Sequence, residues 1–300
     1  MRYLTFKVPG ERDTRLGALL KGDEVVGLDG DLLGLIQSGP EAWKKAEAHV
    51  GEAKHRWALD EVEMAAPMRP PSLRDFYAFE QHVTTAHANR GREVPAEWYQ
   101  VPVFYFSNPN PIYGHGEAVP KPNYTEALDY ELEVAAVIGR AGRDIPADKA
   151  MEHIFGFTIL NDWSARDVQR QEMKVGLGPA KGKDFASSLG PVIVTPDELA
   201  AQTTERPGVY AAEMVARVNG EERSRGNWST LHYSFGEMIA RASQGVELMA
   251  GDVIGSGTVG TGCLLELTKG AGPWLKVGDM VELEIEGLGI LRNLVSTVPQ

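Results

Sequence analysis

Residues 128–139, LDYELEVAAVIG, constrain the fold more than any other stretch of this chain. Apolar side chains alternate on one face, as in a β-strand, whereas the opposite face starts with three acids and then also becomes apolar. The first face is Leu128, Tyr130, Leu132 and Val134, and the second is Asp129, Glu131, Glu133, Ala135 and Val137. If the strand enters a core, its carboxylates lie where charge is costly unless a positive group meets them.

The pair Glu131 and Glu133 has two interpretations. Strand geometry places their Cα atoms about 7 Å apart on one face, so both side chains can converge on one hard cation. Oxygen-only ligands suit Mg²⁺, Mn²⁺ or Ca²⁺. The alternative is a solvated acidic strand face. Because Ala135 and Val137 continue the same face into a core, the pattern favours the metal.

The remaining chain predicts an α+β fold rich in strands, without the regular strand–helix alternation of a doubly wound sheet. Three prolines in APMRPPS, residues 66–72, predict a boundary between a small N-terminal α+β domain (1–68) and a larger domain (69–300). Hairpins are predicted at Gly22-Asp23, at Asn219-Gly220 and near Gly287. Helices are predicted on both sides of Gly39-Pro40, in SARDVQRQEM, and in LHYSFGEMIARASQG up to Gly245.

Composition limits the class of partner. The formal net charge of −12 argues against nucleic acid and against an anionic membrane surface. No apolar run approaches the roughly 20 residues that span a bilayer, and the first residues lack the apolar centre of a signal peptide. A single cysteine, Cys263, rules out an intrachain disulfide and a multi-cysteine zinc site. We therefore expect a cytoplasmic protein.

A second polar stretch, NDWSARDVQ, follows a predicted strand. Ser164 and Asp167 have the spacing of a capping box, which explains these two residues well but explains Asp162 only in part. Arg166 and Gln169 share one face of the helix that follows.

Two glycine-rich loops differ in what they predict. GLGPAKGKDF presents Lys181 and Lys183, either as a solvated turn or as groups that meet an anionic substrate. GSGTVG, residues 255–260, has the spacing of a dinucleotide fingerprint, but the following TGCLLELT alternates as a strand, so we reject nucleotide binding. We interpret it as a tight backbone loop in which Thr258 lines a pocket. Glu266 follows in an apolar setting.

The stretch RDFYAFEQHVTTAHANRG contains Asp75 and two histidines. His82 and His87 are five residues apart, which does not fit a helical metal pair, so a histidine zinc site is not expected. A histidine near a cluster of acids can instead act as a general base.

Taken together, these motifs resemble the fumarylacetoacetate hydrolase family. The motifs that match, in order, are DFYAFEQH, LDYELEVAAVIG, HIFGFTILNDWSARDVQ, LGPAKGKDF and GSGTVG with LLEL. The resemblance runs from about Leu73 to the C-terminus and is strongest to fumarylacetoacetases and their bacterial relatives. It implies a mixed β-sandwich roll with short helices as the catalytic domain, preceded by the small N-terminal domain, and a homodimer.

The resemblance also implies the role of each site residue. The metal ligands would be Asp75, Glu131, Glu133 and Asp162, holding Mg²⁺ first, with Ca²⁺ or Mn²⁺ as alternatives. His82 would be the general base and Glu266 the acid that orients it. Arg166, Gln169 and Lys183 would stabilise the oxyanion and the leaving enolate, and Tyr77 and Tyr105 would contact the substrate.

The expected activity is hydrolysis of a C–C bond in a small anionic β-diketo acid, such as fumarylacetoacetate or a related acylpyruvate. A water activated by His82 would attack the carbonyl, and the cation would stabilise the leaving enolate. The alternative within the family is a keto-acid decarboxylase or isomerase, which needs the enolate but no activated water. A metal-binding protein without catalysis is the alternative from another class.

Overall fold

Strands dominate the chain, as the alternating patterns predict, and the computed structural model describes residues 1–298. The N-terminal part contains β1 (Arg2–Lys7), β2 (Arg15–Leu20), β3 (Glu24–Leu28), α1 (Leu32–Gln37), α2 (Pro40–Val50), β4 (Arg56–Ala58) and β5 (Glu63–Ala65). The later strands are β6 (Leu73–Phe76), β7 (Phe104–Ser107), β8 (Ile112–Tyr113), β9 (Ala118–Pro120), β10 (Leu128–Asp129), β11 (Leu132–Ile138), β12 (Gly142–Arg143), β13 (Ile154–Asp162), β14 (Ser164–Ala165), β15 (Ser187–Val194), β16 (Glu213–Val218), β17 (Glu221–Asn227), β18 (Glu247–Leu248), β19 (Val253–Gly255), β20 (Met280–Ile285) and β21 (Gly289–Ser296).

The later helices are short. They are α3 (Glu80–Ala88), α4 (Arg166–Glu172), α5 (Phe235–Ser243) and α6 (Leu264–Leu267). Short 3-10 helices occur at Leu59–Glu61, Ala96–Tyr99, Ala147–His153, Pro196–Gln202 and Trp228–Thr230. No helix within residues 1–298 is long and apolar enough to cross a membrane.

A 12-stranded mixed sheet carries the site. Its strand order is β4-β3-β2-β1-β15-β13-β11-β19-β6-β7, with β5 on β1 and β8 on β15. The N-terminal strands join this sheet directly, because β1 pairs antiparallel with β15 through Arg2 opposite Val194 and Tyr3 opposite Ile193. The division at residue 68 stays a prediction, and residues 299–300 of the larger predicted domain lie outside the described part of the chain.

A second, five-stranded sheet packs on the first. Its order is β17-β16-β20-β21-β9, and both predicted hairpins in it are confirmed: Asn219-Gly220 joins β16 to β17, and Gly287 lies between β20 and β21. The main apolar core lies between the sheets, where Val134 and Phe157 of the large sheet share one cluster with Leu283 and Leu291 of the small one. Burial of this apolar surface is the main stabilising term.

Three local predictions were wrong. TGCLLELT does not form a strand: Leu264–Leu267 is helical, since its first amides donate to the buried Asp129 carboxylate from elsewhere in the chain. LDYELEVAAVIG is two strands, because β10 pairs with β14 and β11 pairs with β13. The two residues between these strands allow the change of partner.

The capping box at Ser164 and Asp167 was also wrong. Ser164 lies in β14 and its hydroxyl donates to the Asp162 carbonyl oxygen at 3.0 Å. The Asp167 carboxylate instead accepts hydrogen bonds from the Thr125 hydroxyl at 2.5 Å and the Glu126 amide at 2.9 Å. These distant partners compete successfully with the local capping pattern.

Candidate active site

Four neighbouring strands bring the predicted metal ligands together. Asp75 lies on β6, Glu133 on β11 and Asp162 at the end of β13, and Glu131 directly precedes β11. The order β13-β11-β19-β6 places them at one end of adjoining strands. One ligand oxygen from each side chain lies within 4.8 Å of the other three, and each residue is at most 4% exposed.

The chemistry of this carboxylate cluster fits a divalent cation. Glu133 Oε2 and Asp162 Oδ1 are buried and have no hydrogen-bond partner among residues 1–298. Buried oxygens without a donor are costly, and a cation would satisfy them. A set of four carboxylates without nitrogen or sulfur is the donor type that Mg²⁺, Ca²⁺ or Mn²⁺ prefers.

The pKa values of the cluster show its excess of negative charge. Burial and then repulsion from Asp162 raise the pKa of Asp75 to about 8. Burial and then repulsion from Asp75 raise the pKa of Glu133 well above its ordinary value. Burial also acts to raise the pKa of Glu131, but Arg166 and Lys183 outweigh it and hold this pKa well below its usual range. Burial also raises the pKa of Asp162. Three of the four carboxylates thus have raised pKa values, and a further cation would favour their ionised forms.

Two buried cationic side chains, Lys183 and Arg166, contact the carboxylate cluster. Lys183 Nζ donates to Glu131 and, at 2.5 Å, to Asp162. Arg166 Nη2 donates to Glu131 Oε1 at 2.7 Å and Nη1 donates to Gln169 Oε1 at 3.0 Å. The predicted oxyanion residues are therefore together, and Lys183 is buried rather than in a solvated turn. Lys181 is the solvated one, paired with Asp184 at 2.9 Å.

The loop GSGTVG wraps around Asp75. The Gly257 amide donates to Asp75 Oδ1 at 3.1 Å. A Cβ on Gly255 would lie 2.5 Å from the same oxygen, and a Cβ on Gly257, whose φ is +78°, would lie 2.4 Å from the Phe76 carbonyl oxygen. The glycines thus allow the loop to approach the metal-ligand candidate closely.

His82 and Glu266 form a buried dyad. His82 Nδ1 lies 2.5 Å from Glu266 Oε1, and both residues are 5% exposed. The Thr261 amide donates to Glu266 Oε2 at 3.1 Å, and the Cys263 thiol lies 3.7 Å from Oε1. Glu266 thus holds the ring through Nδ1, which leaves Nε2 to exchange a proton.

The three predicted substrate contacts lie beside these groups. The Tyr77 ring packs edge-on against the His82 ring, with centroids 5.3 Å apart. The Tyr105 hydroxyl donates to Asp162 Oδ2, and the Thr258 hydroxyl lies 3.5 Å from Glu133 Oε1. Tyr105 and Thr258 therefore contact the carboxylate cluster itself.

Sequence reasoning missed two residues of the site. Asp129 was noted only as one of three acids, yet it is fully buried and bonds Arg166 Nε at 2.8 Å. Cys263 was used only to exclude disulfides, yet it lies against Glu266. The signal for Asp129 was its position on the acidic face of the strand, and no sequence signal marked Cys263.

A cavity of about 490 Å³ opens beside Arg166 and Gln169. Its lining includes six basic residues and no acidic one: Arg90, Arg92, Arg166, Arg170, Lys174 and Lys269. Of these, only Arg166 forms an ion pair within the described residues. In a chain with net charge −12, such a group of cations makes the cavity attractive to anions.

Known proteins resemble this chain along its whole length. The family model "Fumarylacetoacetate (FAA) hydrolase C-terminal" matches residues 72–296. An oxaloacetate tautomerase of Bacillus subtilis (strain 168) is 34% identical over 243 residues, which cover 80% of this chain and 75% of the tautomerase.

Two solved structures of similar proteins align with almost the whole chain. A fumarylacetoacetate hydrolase from psychrophilic Exiguobacterium antarcticum aligns with a TM-score of 0.79 and 29% identity, covering 99% of this chain and 100% of that one. A 5-carboxymethyl-2-hydroxymuconate delta-isomerase from Mycobacterium smegmatis aligns with a TM-score of 0.72 and 27% identity, with the same coverage. The similar proteins thus include a hydrolase, a tautomerase and an isomerase.

Proposed function

The chain belongs to the fumarylacetoacetate hydrolase family, and on that premise we propose that it is a metal-dependent hydrolase of a C–C bond in a β-diketo acid. The predicted α+β fold is confirmed along the chain by the aligned structures. The proposal goes further than the family, because the similar proteins carry out more than one reaction.

The observation that carries the proposal is the buried dyad of His82 and Glu266. A carboxylate that holds Nδ1 keeps the proton on that nitrogen, so Nε2 is the base. C–C hydrolysis requires a water oxygen to attack a carbonyl carbon, and a neutral imidazole can accept the proton that this water loses. Reactions that stop at the enolate do not need this step.

The carboxylate cluster would hold a divalent cation, and we take Mg²⁺ as the first candidate with Ca²⁺ and Mn²⁺ as alternatives. When bound, the cation supplies Lewis-acid stabilisation of the negative charge that develops on the keto oxygens. The ligands would be Asp75, Glu131, Glu133 and Asp162.

The chain's own residues then complete the reaction. His82 removes a proton from water, and the hydroxide oxygen bonds to the carbonyl carbon while Arg166, Gln169 and Lys183 stabilise the oxyanion. Each such donor is worth about 2.7–4 kcal/mol in known cases. The C–C bond breaks, its electron pair leaves as an enolate, and the proton held by His82 returns to the enolate carbon. The products are two carboxylic acids.

The second candidate is an isomerase or tautomerase of a keto acid, favoured by the 34% identity to the Bacillus subtilis tautomerase. A decarboxylase remains an alternative on the same enolate chemistry. In a tautomerase, His82 would move a proton between oxygen and carbon. In a decarboxylase, CO₂ would leave and His82 would give a proton to the enolate carbon, and neither reaction would consume water.

The lining of the basic cavity supports an anionic substrate. Its cations lie next to Arg166 and Gln169, where the reacting carbonyl would bind. They favour a diketo acid with a second carboxylate over one with a neutral end. Among the candidates, fumarylacetoacetate has this second carboxylate and acetylpyruvate does not.

The deciding experiment follows fumarylacetoacetate, acetylpyruvate and oxaloacetate by proton NMR with Mg²⁺, by absorbance with Mn²⁺, and again by both methods with EDTA. We expect metal-dependent conversion of fumarylacetoacetate to fumarate and acetoacetate. Interconversion of keto and enol oxaloacetate without hydrolysis of any diketo acid would support the second candidate. A wild-type protein inert on all three would support a binding protein, and His82→Gln with intact metal binding is the control for catalysis.

A further inference from the structure

One buried carboxylate outside the metal-ligand candidates joins the two halves of the site. Asp129 is 0% exposed, and its oxygens accept three hydrogen bonds. The donors are Arg166 Nε at 2.8 Å, the Leu264 amide at 2.8 Å and the Leu265 amide at 3.0 Å. These three hydrogen bonds of the Asp129 carboxylate therefore connect it to α4 and to α6.

These two helices carry different parts of the machinery. Arg166 is the first residue of α4, and Glu266 lies within α6. Helix α6 has four residues and no side-chain cap at Cys263. A helix this short has little stability of its own, so its position depends on the Asp129 carboxylate that binds its first amides.

We propose that Asp129 is a positioning residue that fixes the oxyanion-binding guanidinium of Arg166 relative to the Glu266–His82 dyad. Within residues 1–298 its carboxylate forms no hydrogen bond to the His82 ring or to the carboxylate cluster, so it acts through the groups it holds. The guanidinium is held on three sides, by Asp129, Glu131 and Gln169, and the Asp129 carboxylate also binds the first amides of α6.

The consequence is geometric. Replacing the carboxylate by an amide keeps one acceptor oxygen and puts a donating NH2 group in place of the other. Either the Leu264 amide, or Arg166 Nε and the Leu265 amide, then lose their acceptor, which frees a helix to shift. A displacement of about 1 Å at a catalytic group can lower the rate about 100-fold. The expected effect of Asp129 on the reaction rate rests on the proposed function. Its expected effect on the geometry of the His82–Glu266 dyad does not.

The test variant is Asp129→Asn, which keeps the shape and removes the charge. The matched control is Asp252→Asn: Asp252 is also buried, at 3% exposure, and also bonds an arginine, Arg74 at 3.3 Å, and a backbone amide, that of Met249 at 2.9 Å. Both changes break a buried ion pair, but only Asp129 contacts the site. We expect kcat to fall at least about 30-fold in Asp129→Asn with KM within about threefold, and kcat to stay within about twofold in Asp252→Asn.

A double-mutant cycle separates positioning from general damage. If Asp129 acts through α6, Asp129→Asn should reduce kcat much less in a Glu266→Gln background than in the wild type. The proposal would be overturned if the fold-decrease in kcat of the double variant equalled the product of the decreases in the two single variants. A kcat near the wild-type value in Asp129→Asn would also overturn it.

A spectroscopic readout works even if the proposed reaction is wrong. The proton on His82 Nδ1 should give a downfield proton NMR resonance, because this buried imidazole N–H faces the Glu266 carboxylate, and a carboxylate acceptor deshields the proton. We expect Asp129→Asn to shift or remove it and Asp252→Asn to leave it unchanged. An unchanged resonance in Asp129→Asn overturns the positioning role, whereas an inert wild type with the expected shift overturns only the proposed reaction.

Discussion

At the scale of single residues, the site is defined by charge that the chain does not neutralise. Four buried carboxylates lie together, and the only ion pairs to them within residues 1–298 come from Lys183 and Arg166. Arg166 is shared with Asp129. Burial, and then repulsion from the remaining negative charge, raises the pKa of Asp75, and the same charge explains the affinity for a cation that we propose.

Removal of one ligand candidate should abolish metal binding. We expect Glu131→Ala to weaken Mg²⁺ binding by at least about 100-fold and to remove turnover, because Glu131 is the carboxylate held ionised by Arg166 and Lys183. Isothermal titration calorimetry measures the binding. The control Glu126→Ala changes a glutamate whose side chain is 93% exposed and should bind Mg²⁺ as the wild type does. Wild-type affinity in Glu131→Ala would contradict the metal assignment.

The metal-free protein should lose stability as pH rises. The pKa of Asp75 is raised from 3.8 to about 8 in the fold, so its contribution to stability is complete below about pH 4. That contribution is lost as pH rises towards about 8, because the ionised group is buried among other carboxylates. With EDTA present, we expect Tm to fall by several degrees from about pH 6 to about pH 8.5.

The same stability measurement has two controls. The fall in Tm should be smaller in Asp75→Asn, which cannot ionise, and saturating Mg²⁺ should reverse it in the wild type by binding the ionised carboxylates. Equal pH dependence of the wild type and Asp75→Asn in EDTA would show that Asp75 is not the responsible group.

At the scale of elements, loops and short helices position the chemistry that the strands carry. The loop after β19 binds Asp75 through the Gly257 amide, and α6 presents Glu266 to His82 on α3. Neither the loop nor α6 has a sequence pattern that predicts its conformation. Their conformations come from contacts with distant parts of the chain.

The glycine loop should tolerate no side chain at residue 257. Gly257→Ala introduces a Cβ 2.4 Å from the Phe76 carbonyl oxygen, at a φ of +78° that L side chains rarely adopt. We expect a loss of about 1–3 kcal/mol in the free energy of unfolding and weaker Mg²⁺ binding, since the loop must move away from Asp75. Urea unfolding and calorimetry measure the two effects. Gly220→Ala, at a φ of +78° with no atom within 4 Å of the new Cβ, separates backbone strain from the clash.

At the scale of the whole molecule, two packed sheets hold the site, and a chain with net charge −12 forms a cavity lined by basic residues. The N-terminal strands extend the sheet that carries the carboxylate cluster, so the two parts of the chain share one hydrogen-bonded layer. The homodimer and the cytoplasmic location stay predictions.

The basic cavity should matter most for substrates with two carboxylates. We expect Arg170→Glu to lower kcat/KM for fumarylacetoacetate at least about 10-fold and to lower it less for acetylpyruvate, because only the first has a distal charge to lose. The control is Lys21→Glu, the same change of charge at an exposed residue far along the chain. An equal loss for both substrates would indicate that Arg170 does not contact the distal carboxylate.

The oligomeric state can be measured directly. The resemblance to the family predicts a homodimer, so light scattering coupled to size-exclusion chromatography should give about twice the 32.7 kDa mass of one chain. A mass of one chain at micromolar concentration would contradict the prediction.

The sequence was enough to identify the acidic strand, the two residues of the dyad and two of the hairpins. Alternation identified the acidic strand because backbone pleating forces every second side chain to one face. The family motifs then named His82 and Glu266, and the structure places the two side chains in contact although they are 184 positions apart. The hairpins at Asn219-Gly220 and Gly287 were also predictable, since positive φ at both turns selects these residues.

Tertiary structure alone decided which local patterns were realised. The helix at Leu264 depends on a hydrogen bond to Asp129, 135 positions away, and the absent capping box reflects the bond from Thr125 to Asp167, 42 positions away. Local propensity is worth less than about 1 kcal/mol per residue, so one buried carboxylate can override it. For the same reason the sequence shows that Asp129 is an acid on a strand, and the packed chain places it between Arg166 and the helix that carries Glu266.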